Sequence, residues 1–135
     1  MKKVSFIFLV ILMNSTLFAQ KNNFNLIVGT YTNSCESNGI YVYQFNAETA
    51  EFSLKNSSEK TINPSYLTLS NDNKFIYSTN ESGAESTVSA FDFDSKSGKI
   101  DFINKQNSEG NDPCYIINDD KNVIVANYSG GNIAV

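Results

Sequence analysis

Ile40–Leu54, IYVYQFNAETAEFSL, and Val88–Phe102, VSAFDFDSKSGKIDF, place apolar residues at matching points a constant 48 positions apart. Ile40 meets Val88, Tyr43 meets Phe91, Phe45 meets Phe93 and Phe52 meets Ile100. Working outward, Asn63-Pro64-Ser65-Tyr66-Leu67 returns as Asp112-Pro113-Cys114-Tyr115-Ile116 at an offset of 49. A third segment occurs three times, as Leu26–Tyr31, Phe75–Asn80 and Val123–Tyr128. Three separate segments sharing one period of about 48 residues define a repeat architecture.

Within one period the pattern is a chain of strands. Ser65–Ser70, Phe75–Asn80, Val88–Asp94 and Lys99–Asn104 are short, aliphatic and aromatic. They are separated by Asn71-Asp72-Asn73, Glu81-Ser82-Gly83 and Ser95-Lys96-Ser97-Gly98, residues that tolerate left-handed backbone or bond their own main chain. No sustained 3.6-residue apolar period occurs, so no helix is expected after the N-terminal segment. Along Ile40–Phe45, Tyr41, Tyr43 and Phe45 share one face and Ile40 and Val42 the other, and both faces are apolar, as a sheet stacked between two neighbours requires. Four antiparallel strands per repeat of about 40–50 residues describe a blade of a β-propeller. The expected fold is therefore all-β, with four-stranded antiparallel blades of about 48 residues.

Counting strands gives about two and a half blades. The first unit supplies three strands, near residues 24–31, 39–46 and 51–56, and the second all four. The third supplies residues 113–118 and 122–128 and the start of another strand at Asn132. Propellers close with roughly four to eight blades. Residues 20–135 are thus read as the N-terminal portion of a longer ring, cut in its third blade, whose C-terminal end supplies the first blade's missing opening strand.

Met1–Gln20, MKKVSFIFLVILMNSTLFAQ, has Lys2 and Lys3, an apolar run from Val4 to Met13 and Leu17-Phe18-Ala19 as a cleavage-type end. This is the pattern of a secretory signal peptide over residues 1–19, too short to span a bilayer, with no cysteine after it for a lipid anchor. The expected location is periplasmic or secreted, with no membrane anchor after signal removal. Removing it leaves eight lysines against fourteen acids, a formal charge of −6, where the whole chain carries −4. All ten basic residues are lysines, with no arginine and no histidine. A Ser-His-Asp triad, a Cys-His pair, a His-ligated zinc site and a guanidinium clamp cannot be assembled from these residues alone. An acidic chain without a basic cluster is also not built to neutralise nucleic-acid phosphates. Asp92-Phe93-Asp94 ahead of Ser97-Gly98 begins like a calcium loop, but Lys96 occupies the fifth place and no terminal glutamate follows, so it reads as a solvated hairpin. No metal site and no cofactor is expected.

The motifs LIVGTYT (26–32), GIYVYQF (39–45), NPSYLTLS (63–70), VSAF (88–91), PCYI (113–116) and ANYSGGNIAV (126–135) fall in a set order and spacing. In that order they resemble the opening blades of the seven-bladed propeller lactonases, the 6-phosphogluconolactonase family, over nearly all of residues 24–135. The resemblance implies hydrolysis of a small-molecule sugar lactone; for an exported protein, an unphosphorylated aldonolactone is a fair substrate. In that family the His- and Arg-bearing segments associated with the active site follow the NYSGG segment, and here the chain ends five residues after Gly130. The piece alone is therefore expected to be inactive, with its catalytic residues unknown. The alternative reading is a non-catalytic secreted propeller that binds a carbohydrate or protein partner, since one scaffold hosts many functions.

In a propeller, the loops from second to third strand and those leading into the first strand surround one mouth. Here these are 30–39, 80–87 and 127–132, with Ile62-Asn63-Pro64 and Asn111-Asp112-Pro113. Tyr31, Asn80, Asn127, Tyr128 and Ser129 could hydrogen-bond a polyhydroxylated ligand, and backbone at Gly130 could approach an anion. Glu81 is the one carboxylate considered as base or water orienter, against a plain solvated acid. Asn127 and Tyr128 read equally as a strand-end turn and a wedge between blades. Cys35 and Cys114 fall near the same mouth; export permits a disulfide between them, and two separate thiols are the other reading.

Overall fold

In the computed structural model, which describes residues 22–119 and 121–135, ten strands form three antiparallel sheets. β1 (Asn23–Gly29), β2 (Ile40–Asn46) and β3 (Phe52–Ser57) make the first, in that order. The second runs β4 (Pro64–Leu69), β5 (Phe75–Asn80), β6 (Thr87–Asp94) and β7 (Lys99–Asn107). The third holds β8 (Pro113–Asn118), β9 (Val123–Asn127) and β10 (Asn132–Ala134), with β9 in the middle. Each sheet is an up-and-down meander whose chain neighbours are its sheet neighbours, which is the blade pattern read from the 48-residue period. The expected signal peptide lies outside the described residues. Among the described residues the helical element is a single 3₁₀ turn, Gly83–Glu85, inside a segment read as a separator.

The sheets stack because both faces of the strands are apolar. Ile40 and Val42 of β2 pack with Ile76, Phe91, Phe93 and Ile100 of the second sheet, and Ile27 and Leu67 close the edge of this cluster. Ile116 and Val125 are buried in the third sheet. On the other face of the first sheet Tyr43 meets Phe52 edge-on at 5.6 Å, the expected alternation of β2. β1, β4 and β8 pack side by side and form the inner edges of the three blades.

Bulges reset the alternation where the inner strands begin. Pairing slips between Pro64 and Leu67 and between Pro113 and Tyr115. A bulge leaves an unpaired residue and turns the side chains that follow it. Cys114 and Tyr115 are thus both exposed between buried Pro113 and Ile116, and Tyr66 and Tyr115, one repeat apart, bring their rings to 4.9 Å. A further slip lies between Ala90 and Phe91, and β7 continues to Asn107, beyond the expected end at Asn104.

At the end of the blades away from the mouth, the first sheet grips the turn of the second. Asp94 accepts from Lys96 N (2.9 Å) and Ser97 Oγ (2.7 Å), and Gly98 closes the hairpin at φ 77°. These bonds hold the Asp94 carboxyl below its ordinary pKa, the Ser97 hydroxyl most. Lys55 Nζ donates to Asn25 Oδ1 and to the Lys96 carbonyl, each at 2.9 Å, while Asn25 Nδ2 donates to Ser95 O at 2.7 Å. A Cβ at residue 98 would press on Lys55 and Val42, so glycine is needed here for contact as well as for φ.

Phe91 is the largest fully buried side chain and sits at the centre of the first inter-sheet core. Phe91→Ala is expected to cost about 3–5 kcal/mol in a denaturant-unfolding measurement.

Candidate functional site

The mouth is organised by two residues that precede prolines. Asn63 (φ 40°) and Asp112 (φ 48°) both adopt left-handed backbone, which Asn and Asp tolerate better than other non-glycine residues. In this conformation the Asn63 side chain reaches the preceding blade. Its Oδ1 accepts from Thr32 N (2.9 Å) and Asn33 N (3.2 Å), while Asn63 N donates back to Thr32 Oγ1 at 3.1 Å. Its Nδ2 donates to Glu81 O at 2.8 Å, and Glu81 N donates to Asn63 O at 3.1 Å. One blade later Asp112 repeats the arrangement. Its Oδ1 accepts from Gly83 N (2.9 Å) and its carbonyl from Tyr128 N (2.9 Å). Each of these residues joins the mouth loop of the blade before it to the mouth loop of its own blade.

That joint brings Tyr31 and Glu81 together across fifty residues of chain. Tyr31 Oη donates to Glu81 Oε2 at 2.6 Å, a short charge-assisted bond. The ring remains 51% exposed. The hydrogen bond to Glu81, then burial, then the negative charges of Glu81 and Asp112, push the Tyr31 phenol above its ordinary pKa. A phenol beside a carboxylate can orient a water or a ligand hydroxyl.

The remaining sequence candidates divide by depth. Tyr128 is 81% exposed, and Ser129 and Gly130 are exposed beside it on the next loop. That loop rests on Asn111 and Asp112, through Gly130 N to Asn111 O (3.1 Å) and the Tyr128 bond, and carries no bond to the Tyr31–Glu81 pair. A Cβ on Gly130 would lie 2.8 Å from Asn111 N, so the loop approaches its neighbour's backbone as closely as glycine allows. Asn80 and Asn127, in contrast, are buried to 4% and 3% exposure behind the mouth. Asn127 Nδ2 donates to Ser108 O at 2.8 Å; Asn80 Oδ1 accepts from Ser78 Oγ at 3.0 Å. Cys35 and Cys114 are exposed free thiols, Cys35 Sγ donating to Tyr31 O at 3.3 Å. The stacked Tyr66 and Tyr115, just below the mouth on the inner strands, were not among the candidates. The recurrence of tyrosine in NPSY and DPCY was the signal that could have found them.

Stacked antiparallel meanders, the second of four strands, with a loop-built mouth are the architecture of β-propeller blades. Residues 25–135 match the family model described as lactonase, 7-bladed beta-propeller, and the chain belongs to that family. It is 34% identical over 110 residues to a 6-phosphogluconolactonase of Bacillus subtilis, an alignment spanning 80% of this chain and 31% of the relative. A crystal structure from Bacteroides fragilis, of a protein for which 6-phosphogluconolactonase activity is proposed, superposes with a TM-score of 0.79 at 45% identity, covering 85% of this chain and 32% of that one. A periplasmic gluconolactonase of Pseudomonas aeruginosa gives a TM-score of 0.72 at 32% identity, over 79% and 31% of the two chains. The chain spans about a third of the length of these relatives.

Because the raised pKa favours the protonated phenol, the Tyr31–Glu81 bond persists through neutral pH. It is lost as pH climbs through the Tyr31 pKa, above the usual tyrosine value of about 10. In an ultraviolet titration, Glu81→Gln is expected to move one of the seven tyrosines to a lower midpoint, and an unchanged curve would contradict the pairing.

Proposed function

We propose that the protein to which this chain belongs is an exported hydrolase that opens a sugar lactone, and that these blades supply one side of its substrate mouth. The reading rests on the family match across residues 25–135, and the Tyr31–Glu81 pair at the mouth supports it. In the reaction, water adds to the lactone carbonyl, the ring C–O bond breaks and the ring oxygen takes a proton, giving a hydroxy acid. Glu81 orients or deprotonates the water; Tyr31 holds the carboxylate in place through the 2.6 Å bond. Exposed Tyr128 and Ser129, and the glycine backbone beside them, bind hydroxyls of the sugar. Two observations support an unphosphorylated aldonolactone as substrate. One is the signal-type sequence of residues 1–19, and the other is the likeness to a periplasmic gluconolactonase.

The test uses full-length protein with glucono-lactone and its 6-phosphorylated form, the spontaneous hydrolysis rate subtracted. Hydrolysis of the unphosphorylated lactone above background is expected. Glu81→Gln should lower kcat by about 10²-fold or more, the range of a lost general acid or base. Tyr31→Phe, which removes only the positioning bond, should lower kcat by less than Glu81→Gln does. If full-length protein leaves both lactones at the spontaneous rate, the non-catalytic carbohydrate-binding propeller becomes the correct reading.

A further inference from the structure

The face that the second sheet turns toward the first is apolar along most of its length, through Ile76, Phe91, Phe93 and Ile100, and becomes polar at its mouth end. There Asn80 pairs with Thr87, and Ser78 with Ser89. The connector from β3 to β4 passes above this polar end without filling it and leaves a pocket of about 300 Å³. That volume is at the small end of the range of roughly 300–1,000 Å³ for ligand sites. Asn80 and Ser89 at its floor are 4% and 2% exposed. The Asn80 oxygen is used by Ser78, while no hydrogen bond among the described residues uses the Asn80 amide nitrogen or the Ser89 hydroxyl. Both residues line the pocket, where these two groups are open to a ligand.

The next repeat shows how the same position is closed. Asn127 stands one blade on from Asn80, and its amide nitrogen is used by the carbonyl of Ser108 in the connector above it. That connector, Ser108–Pro113, is one residue shorter than Ser58–Pro64. Its Gly110 lies so close to Asn127 and Asn132 that no side chain would fit. In the first junction the connector is one residue longer, and Lys60 lines the pocket with Asn80. The pocket is thus a departure from the repeat.

Lys60 and Lys105 line its rim, and neither ammonium has a partner among the described residues. Glu59 is the one acid in the lining, and Phe102, half exposed, offers a ring edge or face. Two cations against one anion, an unpaired amide donor and hydroxyls, with an aromatic wall, suit a small polyol that carries an anionic head. We propose that this pocket between the first two blades is a binding site for a small anionic polyol, a sugar acid or sugar phosphate, separate from the mouth at Tyr31 and Glu81. The lysines take the head group, Asn80, Thr87 and Ser89 take hydroxyls, and Phe102 covers the carbon face. The proposal does not depend on the lactonase reading.

The test is titration calorimetry on full-length protein with gluconate, with 6-phosphogluconate and with neutral glucitol, in the wild type, in K60Q/K105Q and in E81Q. At least one anion is expected to bind, its affinity to fall about tenfold or more in K60Q/K105Q, a loss of about 1.4 kcal/mol, and to be unchanged in E81Q. Glucitol should bind far more weakly. Comparison of the two anions tells a carboxylate head from a phosphate head. Lactone hydrolysis by K60Q/K105Q should match the wild type, so a failure of the hydrolase reading and a failure of this one are told apart. Affinity unaffected in K60Q/K105Q, affinity lost in E81Q alone, or no anion binding at millimolar concentration would each overturn the proposal.

Discussion

The joint between blades is a side chain held in left-handed backbone ahead of a proline. Proline cannot donate a hydrogen bond, so the strand that it opens begins without one donor, and the residue before it must satisfy the surrounding groups. Asn63 does so with both ends of its amide: the oxygen receives Thr32 and Asn33 from the first blade, and the nitrogen reaches Glu81 in the second. Asp112 does the corresponding work one repeat later, accepting Gly83 from one blade and Tyr128 through its carbonyl from the next. The apolar faces of the sheets drive stacking without specifying register. The hydrogen bonds of these two residues have direction, and they set how the mouth loops of adjacent blades meet.

The blade pattern was legible because it depends on quantities that a sequence displays. Strands of alternating apolar residues, separated by Asn, Asp and Gly at a 48-residue period, leave few folds available, and most strand ends lie within a residue or two of expectation. What was not legible depends on local breaks in the alternation. The bulges after Pro64 and Pro113 turn Tyr66 and Tyr115 toward each other, and the one after Val42 changes how β3 meets β2. A bulge is set by how neighbouring strands twist together, which no single segment encodes. Asn80 and Asn127 read as mouth residues because they end their strands. A strand end can point its last side chain into the interface between sheets, and both of these do.

The contact between Tyr31 and Glu81 was also beyond reach, although each residue was singled out. Their separation of fifty residues is one repeat, so the two loops are neighbours in any propeller, yet the bond needs the Asn63 joint to bring them to 2.6 Å. The same repeat logic shows where the molecule departs from itself. Two junctions built to one plan differ in a connector by one residue. In one the buried asparagine is tied down, and in the other it faces an open pocket. Repetition supplies the scaffold, and single-residue departures from it supply the distinct sites.

Beyond its backbone geometry, the Asn63 side chain couples the blades and assembles the mouth. Amide hydrogen exchange on wild-type and Asn63→Gly protein tests it most directly, because glycine keeps the left-handed backbone and removes only the side-chain bonds. Faster exchange is expected at Thr32 and Asn33, with Gly83, held by Asp112, unaffected. Unchanged protection at Thr32 and Asn33 would contradict it.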